Sequence, residues 1–263
     1  AIRQLKWELG KKCLVIHLTL VPYLSAAKEL KTKPTQHSVK TMLEYGVQPD
    51  ILVCRTEKPL NANIRNKIAL FCNIDSGSVI ESIDTSSIYK VPLLMQEEQL
   101  DLVVLRKIGM ATRKTPAMRS WRAFITKLES PKKQVHIALI GKYVELVDAY
   151  KSIIESLIHA STANNCKVNL KLLHSEQVND DNIARSLEGI TGVIVAPGFG
   201  DRGIEGKIAA IRYAREQRIP FFGICLGMQC AVIEFARNFL QLPKAHSTEM
   251  NANTPDPVID IME

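Results

Sequence analysis

The 263-residue sequence has no paired cysteines. Its six (Cys13, Cys54, Cys72, Cys166, Cys225 and Cys230) are scattered at unrelated spacings. That argues against a disulfide framework and against a zinc site, and it fits a reducing, cytosolic setting. No long apolar run is present either. The stretch Cys13 to Ala27 is interrupted by His17, Thr19 and Pro22, and it is too short to cross a bilayer, so it reads as a buried strand and not as a signal peptide. The pattern Gly-x-x-x-x-Gly-Lys-Ser/Thr is absent, so this sequence carries no P-loop of its own. The histidines (His17, His37, His136, His159, His174, His246) show no metal-ligand spacing, no metal site is expected, and no internal repeat or low-complexity tract is visible.

The net charge of +7 is unevenly placed. Nine basic residues (Arg106, Lys107, Arg113, Lys114, Arg119, Arg122, Lys127, Lys132, Lys133) face Glu129 alone, which leaves the rest of the chain within one charge of neutral. An excess confined to one connecting segment is not a phosphate-tracking face, so neither nucleic acid nor membrane is an expected partner.

What is present is a nucleophile turn. The run Ile219 to Ile224 reads as a strand, Gln229 to Ala236 reads as a helix, and Gly223-Ile224-Cys225-Leu226-Gly227 lies between them. This is the thiol counterpart of the Gly-x-Ser-x-Gly elbow: the glycines permit a sharp turn that lifts Cys225 to a helix N-terminus, where the dipole favours thiolate. Cys225 is therefore read as an acyl-transfer nucleophile. The loop Pro197-Gly198-Phe199-Gly200-Asp201-Arg202-Gly203 follows the preceding strand, so the N–H groups of Gly198 and Leu226 would form an oxyanion hole.

The rest of the chain alternates. Helix Ala1–Gly10, strand Cys13–Tyr23, helix Gln36–Tyr45, strand Asp50–Cys54, helix Asn61–Phe71, strand Ser78–Ile83 and helix Gln96–Gly109 are expected in the first part. Residues 110–133 read as a basic linker holding a short helix in which Trp121 and Phe124 pack onto a domain. Strands Val135–Gly141, Val168–Leu173 and Gly192–Ala196, with helices Ala149–Ala160, Val178–Leu187 and Ile204–Glu216, lead to the elbow. This predicts an α/β protein with two doubly wound, mostly parallel-sheet domains over 1–109 and 134–263, both read as truncated. Lys31-Thr32-Lys33-Pro34-Thr35-Gln36 offers two lysines, two hydroxyls and an amide ahead of a helix, the chemistry of a phosphate-binding turn or of an ordinary polar loop. His246, ahead of Ser247-Thr248-Glu249, is expected to be a loop histidine and a poor candidate for the base of Cys225.

Taken with Lys31 to Ser38, Gln48 to Leu52, Lys67 to Cys72, Ser87 to Tyr89 and Gly141 to Leu146, the elbow Gly223 to Gln229 resembles the CTP synthases over nearly the whole chain; a generic class I glutamine amidotransferase would share the elbow alone. The resemblance implies ATP- and magnesium-dependent amination of UTP to CTP, with ammonia from glutamine hydrolysed through a cysteine thioester. It also implies GTP activation, CTP inhibition and a cytoplasmic homotetramer. By motif, Cys225 would be the nucleophile, and Gly198, Leu226, Gly227, Met228, Gln229 and Glu249 would bind glutamine. Lys31, Thr32, Lys33, Pro34, Thr35, Gln36 and Lys67 would hold UTP or CTP. Arg55 and Thr85 would lie by the adenine of ATP, and Phe199 and Arg202 in the lid that responds to GTP.

The departures set further expectations. The family's P-loop and magnesium-binding acids would lie upstream of Ala1, and its catalytic His-Pro-Glu downstream of Glu263. Ala196-Pro197-Gly198 stands where many members have Pro-Gly-Gly, and His246 where Asn is usual. An internal piece of a CTP synthase, inactive alone, is the expectation. Two other readings stay open: a thiol hydrolase using Cys225 and His246, and a non-catalytic nucleotide-binding or assembly subunit.

Overall fold

Near-continuous apolar, β-branched runs such as Ile51–Val53 and Gly192–Val195 suit strands covered on both faces. The computed structural model, which describes residues 1–110, 116–146 and 148–260, places both at the centre of parallel sheets. The chain divides into two units, Ala1–Ile125 and Thr126–Glu263.

The first unit runs α1 (Ile2–Leu9), β1 (Ile16–Val21), the hairpin β2 (Tyr23–Leu24) and β3 (Glu29–Leu30), α2 (Lys33–Glu44), β4 (Ile51–Thr56), α3 (Ala62–Cys72), β5 (Val79–Ile83), α4 (Val91–Glu97) and α5 (Leu100–Lys107). Its sheet has the order β1-β4-β5, all parallel, with Ile16 opposite Ile51 and Leu52 opposite Val79. Asn61 caps α3 as its sequence position suggests, accepting from Ile64 N–H at 3.0 Å. Helix α2 begins at Lys33, three residues ahead of the expected start, because Pro34 is pre-shaped for a first helical turn and has no amide to satisfy there.

The single helix expected over 96–109 is two helices. Gln99 between them adopts φ +57°. The adjoining Glu98 carboxylate takes both Arg65 guanidinium nitrogens, at 2.7 and 2.9 Å, and the Glu81 N–H at 2.8 Å, which pins the break to β5 and α3.

Helix α6 (Arg119–Glu129) contains the boundary between the units, which falls after Ile125. Trp121 Nε1 donates to the Tyr89 carbonyl at 2.8 Å, and Phe124 meets the Tyr89 ring edge-on at 5.3 Å, so the packing expected of this pair is onto the first unit. Arg113 and Lys114 lie outside the described residues.

The second unit runs β6 (Lys133–Gly141), α7 (Lys151–Ala163), β7 (Cys166–His174), α8 (Ile183–Ser186), β8 (Gly192–Val195), α9 (Ile204–Glu216), β9 (Phe221–Gly223), α10 (Leu226–Asn238), β10 (Ala245–Ser247) and β11 (Asp256–Ile259). Its main sheet, β7-β6-β8-β9, is parallel throughout, and strand order reverses at β6. In such sheets ligands sit at carboxyl ends near the reversal. A core of Ala138, Ile140, Val193, Val195, Ile208 and Ile233 holds the sheet to α9 and α10, and Arg215 on α9 clasps the buried Glu234 of α10 at 2.8 Å.

Helix α8 is shorter than the helix expected from Val178, because the Asn179 side chain accepts from the Asp181 and Asn182 amides and closes a turn that competes with a helix. Among the described residues no helix is long and apolar enough to cross a membrane.

Candidate active site

Strand β9 ends at Gly223 and α10 begins at Leu226, so the chain must reverse within two residues. Ile224 N–H still reaches the Val195 carbonyl at 3.0 Å, and Cys225 then takes φ +53°, ψ −109°, a region that residues with side chains avoid. The flanking glycines are required by contact. A Cβ on Gly223 would lie 2.6 Å from the Gly227 carbonyl carbon and oxygen, and one on Gly227 would lie 2.2 Å from the Val195 oxygen. The Cys225 thiol is exposed.

The first helical amides are divided unequally. Gly227 N–H reaches the Ile224 carbonyl at 2.9 Å, and those of Met228 and Gln229 reach the Cys225 carbonyl at 2.9 and 3.1 Å. Among the described residues, Leu226 N–H is the first-turn amide with no backbone partner, as expected of the leading N–H of a helix. Gly198 packs against the side chain of the same residue, since a Cβ on Gly198 would be 3.5 Å from Leu226 Cδ2. Gln229 adds a buried Oε1 with no hydrogen-bond partner, an acceptor for an incoming donor.

Two residues that the sequence reading did not single out support the loop after β8. Lys142, at the end of β6 and 4% exposed, extends Nζ to the carbonyls of Phe199 and Gly200. Lys207 on α9, with no solvent exposure, donates to the Ala196 carbonyl at 3.1 Å. Burial pushes the Lys207 ammonium below its ordinary range; the Lys142 charge adds to this, while charge on Cys230 or Cys225 opposes it. Burial also drives Cys230 up to about 11, which keeps that thiol neutral. Lys207 was legible in principle, because it shares an apolar helical stripe with Ile204, Ile208 and Ile211.

His246 departs from expectation. It lies in strand β10 between the buried Ala245 and Ser247, where a loop was expected. Its Nδ1 accepts from Ser247 N–H at 3.0 Å. Its pKa is lowered by burial first and by Arg237 next, with Glu205 opposing. Glu249 is exposed just beyond β10, with its N–H 3.3 Å from Ser247 Oγ. Met228 projects into solvent.

In the first unit, the Lys31 to Gln36 stretch splits into structural and outward-facing groups. Thr35 is fully buried and its hydroxyl serves the Leu20 carbonyl at 3.0 Å and Thr19 Oγ1 at 3.2 Å, so it is not a free donor as the sequence suggested. The Thr32 hydroxyl oxygen accepts from Gln36 Nε2 at 3.1 Å, which leaves its own O–H to donate. Lys33 and Pro34 are exposed at the start of α2. Lys31 pairs with Glu29, whose carboxyl is held below its usual range by Lys31 first and, more weakly, by Lys67. Arg55 at the end of β4 pairs with Asp84 at 2.9 Å, and the half-buried Thr85 follows β5, so both sit at carboxyl strand ends. No group of three or more His, Cys, Asp or Glu residues among those described could hold a metal ion.

Comparison with known proteins agrees with this division. The family described as CTP synthase N-terminus matches residues 1–110, and glutamine amidotransferase class-I matches residues 145–257. The chain is 61% identical to a CTP synthase of Cytophaga hutchinsonii, 58% to one of Flavobacterium johnsoniae and 53% to one of Porphyromonas gingivalis, in each case over 100% of its own length and 49% of the relative's. It thus spans about half the length of the curated relatives it matches. Among solved structures, a Trypanosoma brucei CTPS glutaminase domain with bound acivicin is 38% identical, covering 49% of this chain and 50% of that one with a TM-score of 0.47. Both family regions thus stand in order on one chain that matches CTP synthases from end to end.

Proposed function

We propose that this chain contributes to the ATP-dependent amination of UTP to CTP, with the ammonia released from glutamine at Cys225. The observation that carries the reading is the elbow: a cysteine at φ +53° between two glycines that have no room for a side chain, ahead of a 13-residue helix. In the glutaminase half, Cys225 Sγ would attack the glutamine carboxamide, and the resulting oxyanion would meet the Gly198 and Leu226 amides. Removing one such donor typically lowers the rate by about 10²–10³. Gln229 Oε1 suits the substrate ammonium, and Gly227, Met228 and Glu249 complete the proposed glutamine set.

In the other half, Lys33 with Lys31 and Lys67 supplies cationic donors for the triphosphate of UTP, or of inhibitory CTP, at the start of α2. Arg55 and Thr85 would flank the ATP adenine. Magnesium would accompany ATP as part of that substrate, and no residue of this chain is assigned to it. GTP activation through Phe199 and Arg202, a homotetramer, a cytoplasmic location, and the absence of nucleic-acid and membrane partners belong to the same reading.

The test is labelling. A glutamine-derived chloroketone should modify Cys225 in the purified chain, with protection by glutamine, and calorimetry should detect CTP binding that Lys33→Ala weakens. A chain labelled no faster than a free cysteine, and without protection, would refute the glutaminase part.

A further inference from the structure

Among the described residues, the largest side chain with no solvent exposure is that of Lys207. A lysine this deep is ordinarily matched by a carboxylate, because a lone buried ammonium is expensive. Here Nζ has the Ala196 carbonyl at 3.1 Å, and it would sit 3.6 Å from a Cβ on Gly198. Gly198 in turn packs against Leu226, since the same Cβ would lie 3.5 Å from Leu226 Cδ2, so the ammonium lies under the loop that borders the elbow. Lys142, whose Nζ reaches the Phe199 and Gly200 carbonyls, is a second cation at that loop.

We propose that Lys207 is a positioning residue of the thiol site: its ammonium holds the loop at Ala196 and supplies buried positive charge beside Gly198, which favours an anionic group brought to the Gly198 and Leu226 amides. The inference rests on reading Cys225 as the nucleophile. It gives the lysine a task that hydrophobic packing on α9 would not require, since methionine would fill the same space without charge.

The test compares alkylation of Cys225 by iodoacetate, which is anionic, and iodoacetamide, which is neutral, in the purified chain and in Lys207→Met, read by mass spectrometry of the Cys225 peptide. A buried cation favours the anionic reagent, so the iodoacetate-to-iodoacetamide rate ratio should fall about three- to tenfold in the variant. An unchanged ratio in a folded variant overturns the proposal, because a purely structural lysine would slow both reagents alike. Should Lys207→Met fail to fold, reciprocity supplies the test in the native chain. Capping Cys225 with iodoacetate, which leaves a carboxylate at the site, must raise the Lys207 titration midpoint above that of the iodoacetamide-capped chain, followed by NMR of carbon-labelled lysine, and equal midpoints overturn the proposal. Failure of the glutaminase reading would look different: the reagent ratio would still respond to Lys207, while the chloroketone would not label Cys225.

Discussion

Gly227 stands so close to Val195 that a Cβ on the glycine would lie 2.2 Å from the valine carbonyl oxygen. The helix that presents Cys225 is thus seated directly on the backbone of β8, and the elbow cannot be widened by even a methyl group. Gly227→Ala should destabilise the second unit by about 1–3 kcal/mol, as overpacking does. Denaturant unfolding followed by circular dichroism would measure it, and an alanine variant as stable as the parent would contradict the tight seat.

The purified chain should hydrolyse glutamine negligibly. His246 is half-buried in β10 and its Nδ1 accepts from Ser247 N–H at 3.0 Å, which occupies the lone pair that would take a thiol proton at that nitrogen. A nucleophile without its base loses roughly 10⁴-fold or more in turnover. Ammonia release at the rate of an ordinary glutaminase, abolished by His246→Ala, would revive the thiol-hydrolase reading.

Acid should weaken the first unit through Glu98. Burial pushes this carboxyl up, but the Arg65 hydrogen bond and the Glu81 amide outweigh burial and hold it below the ordinary 4.5. Because the folded value is the depressed one, its stabilisation is fully present above about 4.5 and is lost as pH falls through the folded value. Both tryptophans, Trp7 and Trp121, lie in this unit, so fluorescence-detected unfolding reports on it. Stability should drop between pH 5 and pH 3, and Glu98→Gln should flatten that part of the profile; an equally steep profile would exclude Glu98 as the source.

Thr35 and Lys33 should separate structure from binding within one turn. Thr35→Val removes a buried hydroxyl that serves Leu20 and Thr19, and should cost about 1–2 kcal/mol of stability. Lys33→Ala, on the exposed first turn of α2, should leave stability unchanged and weaken CTP binding several-fold. Paired melting and calorimetry would decide, and a Thr35→Val chain that melts like the parent would show that the hydroxyl bonds contribute nothing.

Much of this was legible from residue patterns. Helix α9 occupies the expected Ile204–Glu216, because its apolar spacing is regular and Gly203 precedes it. The elbow was legible because contacts, and not propensity alone, dictate its glycines. What escaped the sequence depended on partners distant in the chain. Gln99 breaks a regular helical pattern because Glu98 is captured by Arg65, 33 residues away. Strands β10 and β11 are three and four residues long and, among the described residues, pair only with each other, so they leave no periodic trace, and His246 was mistaken for a loop residue. Lys142 and Lys207 drew no attention because lysine is seldom buried.

Cys225 itself is held against its own backbone preference. Glycine would adopt φ +53°, ψ −109° without penalty, whereas such a conformation costs a residue with a side chain of order 1–3 kcal/mol. Cys225→Gly should therefore raise the melting temperature of the second unit while deleting the thiol, and a variant that melts lower would show that the turn is relaxed as it stands. Durability alone would favour glycine at this turn, so the cysteine there sets the proposed reactivity of the elbow against the stability of its own unit.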